Sequence, residues 1–398
     1  MNLDIGFSEA QYGVLASVVF TSLFAVASLG AGVASDRFNR KLLTTASAIC
    51  WSIATLGTAF SDSYAQVVVC RVAMGLACAF STPTAYTLIR EAVPKDRVAL
   101  ASSLYSTAVA LGSGLASLSI LLDKELGWRN ALILVSLFGT FSVGASVLLL
   151  PDDPKDIVAV SSLDDVDTSG EPSILSDISD TVATSRVQWI FLGSFLRFCS
   201  GLCIGVWSAP YYRMVFADQQ SEYAVAQAVI SAVGASASGL LGGLAADWLS
   251  SSTPDDDPDK EGRKLWVPIA GSLLAAPTWY FAVHSEQSFE VAMAWLAAEY
   301  FVAECWFGPT ITTLQATVGP KIGGTAQGLF TLTGAIANLA PSIVGYLYGQ
   351  TAGAGESSTE LSSLLGTGVC LCYLSSALCF AIAAKSPPPL LVKKAKEQ

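Results

Sequence analysis

Gly30-Ala31-Gly32-Val33-Ala34-Ser35-Asp36-Arg37-Phe38-Asn39-Arg40-Lys41 decides how the rest of the chain is read. An apolar run from Tyr12 to Ala34 stops at Ser35. One acid and three basic residues follow within six positions, and a second apolar run starts at Leu42. Runs of that length cross a bilayer as helices, and so short a joint makes them a tight antiparallel pair. Gly30, Gly32 and Ala34 are small enough to let another helix approach the end of the first. The basic cluster fixes which side of the membrane that end faces. The pattern returns 211 positions later as Gly243-Leu244-Ala245-Ala246-Asp247.

Composition supports the same reading. The length of 398 residues alone would allow about two or three soluble domains. The chain is 52% hydrophobic and 13% charged, with a mean hydropathy of +0.54. Soluble chains carry roughly a quarter charged residues, so this one could not cover a water-facing surface. It is read as an all-α, polytopic membrane protein. The net charge of -11 comes mostly from two loops, Asp152 to Asp180 and Asp255 to Glu261, which read as solvated linkers and not as a docking face. No nucleic-acid partner is expected. The nine cysteines lie in apolar runs without a CxxC or Cys/His spacing. They read as small buried hydrophobes, with no metal and no cofactor to hold.

About eleven stretches are long and apolar enough to cross, near 12–34, 42–60, 64–89, 99–122, 130–150, 187–210, 223–246, 265–284, 289–315, 323–348 and 363–384. If the Asp36–Lys41 loop is cytosolic, 16 of the 21 Lys and Arg fall in loops on that side. Lys124, Arg129 and Arg213 fall on the other, and Arg71 and Arg197 lie inside spans. That bias places the carboxyl tail in the cytosol and Met1 outside. The spans divide into a bundle over 1–150, an acidic linker over 151–186, a second bundle over 187–385 and a tail over 386–398. Ser103-Leu104-Tyr105 also echoes Gly328-Leu329-Phe330, and weak symmetry at this spacing is what parallel transporter halves leave. In the second half a full helix, 187–210, precedes the helix ending at Asp247. Its counterpart would fall before Met1, so the first bundle reads as five spans with its first helix missing.

These residues resemble the major facilitator superfamily along essentially the whole chain. Gly32, Asp36, Arg37, Asn39, Arg40 and Lys41 match its cytosolic loop motif G-x-x-x-D-R-x-G-R-K, with Asn39 in the second-glycine place. Arg71-Val72-Ala73-Met74-Gly75 matches its fourth-helix R-x-x-x-G, and Gly127-Trp128-Arg129 its loop between the fifth and sixth helices. Within the superfamily, Asp36-Arg37-Phe38-Asn39-Arg40-Lys41 is similar to the D-R-Y-N-R-K of spinster-type lysolipid and sphingolipid transporters. Gly112-Ser113-Gly114-Leu115 and Trp207-Ser208-Ala209-Pro210 are similar to that family too. Two departures stand out. Gly75-Leu76-Ala77-Cys78 lacks the acid that spinster-like proteins carry after the fourth-helix motif, and the acid of their first helix is absent with that helix. Proton coupling therefore does not carry over residue by residue.

Asp36 ends its own helix, where the macrodipole disfavours negative charge. It gains by facing the amino end of another helix, the one starting near Gly324, or by pairing with Arg37 or Arg40. The resemblance implies a cytoplasmic gate formed by Gly32, Asp36, Arg37, Arg40, Lys41, Gly243 and Asp247, with Asp247 facing the helix that starts near Ala99. The alternative is a solvated loop acid beside topogenic cations. Arg71, Arg197, Glu299 and Glu304 lie inside spans, where an isolated charge costs roughly 2.5–3.5 kcal/mol. In the superfamily their host helices, the fourth, seventh and tenth, line the central cavity. Either arginine could grip an anionic headgroup. The glutamates could pair with the arginines or carry a proton. Five residues apart on one helix, they would point about 140° apart, one into a cavity and one into a structural pair. Asn338 reads as a buried amide that bonds substrate or a neighbouring helix. Trp207, Tyr211 and Tyr212 read as an interfacial aromatic belt, or as a substrate wall. Pro83, Pro210, Pro309 and Pro341 either bend gating helices or are ordinary membrane-helix prolines.

The expected activity is secondary transport by alternating access, symport or antiport, with lysophospholipids or sphingoid lipids as substrate. The alternatives are a facilitator of small organic anions or sugars, and a transport-inactive receptor or scaffold. No enzyme is expected, since no loop carries a His-rich, paired-acid or Ser/His/Asp set. The expected partners are substrate, protons and the bilayer, with the chain a monomer in the plasma membrane or an endomembrane.

Overall fold

The computed structural model describes residues 2–6, 19–94, 97–117, 122, 126–149, 178–179, 181–253, 260–319, 322–351 and 358–386. Most of the acidic linker and all but the first residue of the tail lie outside these. The described residues are helical, without strands. Eight helices among them are long and apolar enough to cross a membrane. Val19–Arg37 and Val98–Ser117 account for two more of the eleven stretches. The remaining one, 289–315, is divided into Phe289–Ala303, a 3-10 turn Glu304–Trp306, and Phe307–Val318.

Local sequence explains where the helices start and break. Asn39, which stands in the place of the motif's second glycine, is the N-cap of Arg40–Ala59: its side chain accepts from Leu42 N at 2.8 Å. Gly127 has φ +78°, a conformation glycine adopts without strain, and Trp128–Leu149 starts directly after it. Pro309 cannot donate to the carbonyl of Cys305, and its ring crowds that carbonyl. The helix breaks one turn upstream, at Glu304–Trp306. Pro341 does the same to Ala337, and Asn338 and Leu339 form a turn between Gly323–Ala337 and Ala340–Thr351. Pro83 and Pro210 sit inside unbroken helices. The helix from Gln220 to Ser251 carries a π-turn at Ile230–Ala235.

The chain forms two compact units. The first contains Met1–Ala92, Leu118–Thr181 and Gly319–Ala335. Here Tyr64–Ala92 packs on both Val19–Arg37 and Arg40–Ala59, and Arg40–Ala59 packs on Trp128–Leu149. Arg129 ties the start of Trp128–Leu149 to the carbonyls of Ala59 and Ser61 at 2.8 and 3.0 Å, and to Asp62. The second contains Val93–Ser117, Val182–Val318 and Ile336–Gln398. Its core packs Ser185–Val215 on Ser358–Lys385, and Trp266–His284 on Ser358–Lys385 and Phe289–Ala303. Trp279, fully buried, donates to Leu365 O at 3.0 Å. Each unit thus includes one helix from the other half of the sequence.

Three expectations are corrected. Tyr211 and Tyr212 are 1% exposed each, with their hydroxyls on the carbonyls of Val283 and Ala282. They pin two helices together and form no interfacial belt, because a phenol buried with its hydroxyl bonded is stable in a core. Arg186 belongs to the helix that begins at Ser185, where it is buried and donates to Ala383 O and Ser386 O. Among the cysteines, Cys199, Cys203 and Cys379 are buried, but Cys50 is exposed.

Candidate functional site

Two carboxylates cap helices distant in sequence. Asp36 Oδ1 accepts from Gly324 N at 2.7 Å, and Oδ2 from Thr325 N at 2.8 Å and Thr325 Oγ1 at 3.0 Å. At the end of its own helix the charge costs about 0.3–1 kcal/mol. Each charge-assisted bond returns about 1.5–3 kcal/mol, so the cap outweighs the penalty. The close approach comes from glycines: a Cβ at Gly32 would stand 2.5 Å from Gly324 O and 3.1 Å from Gly328 Cα. Gly30, expected to share this role, meets nothing within 4 Å, because it lies on the exposed side of the helix. Around the cap, Arg40 is buried, donates to Ser35 O at 2.9 Å and pairs with Glu91. Arg90 donates to Gly319 O at 2.9 Å. Arg37 is exposed and Lys41 half-buried.

Asp247 builds the second cap. Its Oδ2 accepts from Leu100 N at 2.9 Å and its Oδ1 from Ala99 N at 3.3 Å. Lys264, 1% exposed, reaches Asp247 at 3.7 Å and Glu261 at 3.0 Å. A Cβ at Gly243 would lie 2.9 Å from Ala99 O and 2.6 Å from Ser103 Oγ.

A third constellation is buried in the second unit. Arg197 is 1% exposed; its Nη2 donates to Ala303 O at 2.8 Å and reaches Glu304 Oε1 at 3.3 Å. The guanidinium also stands 4.7 Å from the Tyr373 ring centroid and 5.5 Å from that of Trp306. Tyr373 in turn donates to Glu299, itself 2% exposed. On a continuous helix Glu299 and Glu304 would stand about 140° apart. The break at Glu304–Trp306 removes that constraint, and both join the surroundings of Arg197. Beside them Gln227 donates to Tyr300 Oη at 2.9 Å and Ser231 Oγ at 3.2 Å, where the π-turn begins. Tyr373, Gln227 and Tyr300 were not foreseen. Their one sequence signal is a hydroxyl or amide in otherwise apolar spans.

These caps, on Gly-x-x-x-Asp helix ends of two helical units, are the setting for the comparisons with known proteins. The family model described as Major Facilitator Superfamily matches residues 1–341. The chain belongs to the major facilitator superfamily. An MFS-type efflux pump of Mycolicibacterium smegmatis is 26% identical over 364 residues, 86% of this chain and 77% of that protein. Protein spinster homolog 3 of Mus musculus is 24% identical over 343 residues, 81% of this chain and 64% of that one. A solved bacterial homolog of the human lysosomal transporter Spinster, inward-facing and unoccupied, aligns with a TM-score of 0.56 at 21% identity. It covers 96% of this chain and 88% of that structure, and shows the shared fold. The chain is thus a multi-pass membrane protein of a transporter superfamily with spinster-like relatives.

The other expected superfamily site residues are scattered. Arg71 is half-buried in Tyr64–Ala92, in the first unit, and its Nε has no hydrogen-bond partner among the described residues. Trp207, half-buried in the second unit, donates from Nε1 to Pro341 O at 2.9 Å. Asn338 is exposed and not a buried amide. The turn that Pro341 forces at 338–339 carries it out of the helix interior.

Proposed function

We propose that this chain is a secondary transporter working by alternating access, with an amphipathic anion or zwitterion such as a lysophospholipid or sphingoid lipid as its substrate. The observation that carries the reading is the pair of carboxylate caps. Each joins a helix from one sequence half to a helix from the other through bonds to backbone N–H groups. Asp36 and Asp247, with the basic residues beside them, are the gate, and positive-inside counting puts that gate and the carboxyl tail in the cytosol. The lipid class follows from the likeness to spinster proteins.

Arg71 is the headgroup residue in this reading, since its Nε has no acceptor among the described residues and a guanidinium matches phosphate bidentately. Arg197 is already engaged by Ala303 O and Glu304 and serves coupling. Glu299 and Glu304 face this one cation, so one carboxylate is in excess within the trio. Tyr373, Tyr300 and Cys305 are the other titratable groups close by. A proton on Glu299 would balance that excess, and its release during the cycle would couple transport to a proton gradient.

Proteoliposomes loaded with a proton gradient and given fluorescent lysophosphatidylcholine or a fluorescent phosphorylated sphingoid base test both parts. We expect Arg71→Ala to lower uptake at least tenfold with insertion unchanged. Glu299→Gln should abolish gradient-driven uptake while sparing exchange. Arg197→Ala removes one partner of a buried pair and should cost about 3–5 kcal/mol of stability, so Arg197→Lys accompanies it. Wild-type uptake in Arg71→Ala and Arg197→Lys would end the headgroup and coupling assignments.

A further inference from the structure

We propose that Gln327 is a built-in release for the Asp36 cap: its amide is stranded while the cap is closed and hydrated when the cap opens, which keeps the gate reversible. The proposal deepens the gate reading above and rests on it. Gln327 lies in Gly323–Ala337 within the first unit, one turn beyond the Gly324 amide that donates to Asp36. It is fully buried, and neither its Oε1 nor its Nε2 has a hydrogen-bond partner among the described residues. A glutamine amide carries two donors and two acceptor lone pairs, and a buried amide left unpaired in a native fold calls for an explanation.

The glycine packing that makes the cap also shuts this amide in. Gly324 and Gly328, four residues apart, share one helix face. A Cβ on Gly328 would lie 2.4 Å from Ser28 O, as one on Gly32 would lie 2.5 Å from Gly324 O. At 100° per residue Gln327 stands about 60° from Gly324 and about 100° from Gly328, at the margin of that contact. The buried hydroxyls of the same unit spend their protons elsewhere: Ser35, Thr84 and Thr87 donate to Gly32 O, Phe80 O and Pro83 O at 2.8, 2.7 and 2.8 Å. An amide buried in this way loses its hydration with nothing returned. Such a group shifts a two-state equilibrium by about tenfold, against the closed arrangement that the three bonds to Asp36 favour. Gln327 is only about 4.5 Å of helix from Gly324, so water admitted as the cap parts reaches it. The opening that takes donors from Asp36 therefore gives hydration back to Gln327, which is the differential interaction a conformational equilibrium requires. An apolar side chain in its place would leave the cap at full strength and the gate slow to open.

The test is hydrogen–deuterium exchange of the purified full chain, read by mass spectrometry on the peptide spanning 323–330. The amides of Gly324 and Thr325 exchange when Asp36 lets them go, so their rate follows the opening of the cap. Gln327→Met, unbranched and of similar length, should slow that exchange about tenfold. Exchange at Ala99 and Leu100, on the Asp247 cap, should stay as it is. Gln327→Leu repeats the measurement with a different shape, in case one of the two packs badly. Unchanged or faster exchange at 323–330 in both variants would show that the amide is already satisfied in the closed arrangement, by a bound water for example, and would overturn the proposal. Equal slowing at both caps would mean general stabilisation and overturn it as well. Lipid uptake by the same variants should fall with the exchange rate; exchange reports on the cap whether or not a lipid moves, so failure of the transport reading would show in uptake alone.

Discussion

Asp36 and Asp247 do the same thing by different means. Asp36 stands next to last in its helix and Asp247 one turn before the end of Ser236–Ser251, and both accept from two successive N–H groups at the start of another helix. At Asp36 the approach is glycine on glycine, with bonds of 2.7 and 2.8 Å and a third from the Thr325 hydroxyl. At Asp247 the facing residues are Ala99 and Leu100, the bonds are 2.9 and 3.3 Å, and a buried lysine adds its charge. Ser103 stands opposite Gly243 where Gly328 stands opposite Gly32. A methyl group on the capped helix holds the backbones further apart, and the longer bonds are offset by an ion pair. A duplicated cap can therefore keep its geometry of acceptance while exchanging close packing for charge.

The largest expected effect breaks the close side of this comparison. A Cβ on Gly324 would collide with Ser35 Oγ and Gly32 O and come within 2.8 Å of Asp36 Oδ1. We expect Gly324→Ala to cost about 1–3 kcal/mol through overpacking, plus about 1.5–3 kcal/mol for each cap bond that lengthens beyond use. Ala99→Gly, the matching change at the other cap, should cost under about 1 kcal/mol, the entropy of a glycine in a helix. Thermal unfolding in detergent measures both, with Gly30→Ala as an inert control. Equal losses in Gly324→Ala and Gly30→Ala would show that glycine contact does not hold the first cap.

The second test concerns charge. Asp247→Asn leaves Lys264 buried with Glu261 as its remaining ion-pair partner among the described residues and weakens two backbone bonds, so a loss of about 2–4 kcal/mol is expected. Adding Lys264→Met should recover part of it, giving a coupling above about 0.5 kcal/mol in a double-mutant cycle. Strict additivity would mean that the lysine plays no part in the second cap.

Much of this was legible in the sequence because the caps follow from two local facts. A carboxylate at the wrong end of its own helix needs another helix's amino terminus, and a repeat supplies two such ends at Gly324 and Ala99. The membrane-length runs were equally plain, since about twenty apolar residues have one solution in a bilayer. What stayed hidden was longer in range. The break before Pro309, which brings Glu299 and Glu304 to the surroundings of Arg197, depends on which carbonyl the ring displaces and on Arg197 being there to receive Ala303 O. Tyr373 lies 74 positions from Glu299, and no helical period links them. Asn338 looked buried because hydropathy averages over the turn that exposes it. Gly30 and Gly32 are indistinguishable until a partner helix chooses one face.

The smallest effect sharpens the comparison at one atom. Thr325 Oγ1 gives Asp36 a third donor at 3.0 Å, and Leu100 in the matching place offers none. Thr325→Val keeps the shape and both backbone N–H donors, so it removes only the hydroxyl bond. We expect about 1 kcal/mol, with no change at the second cap. Leu100→Thr should gain nothing comparable, since Asp247 already shares its carboxylate with Lys264. A loss in Thr325→Val as large as that in Asp36→Asn would move the strength of the first cap from the backbone donors to the hydroxyl. The close glycine packing would then serve to place one side chain and not two amides.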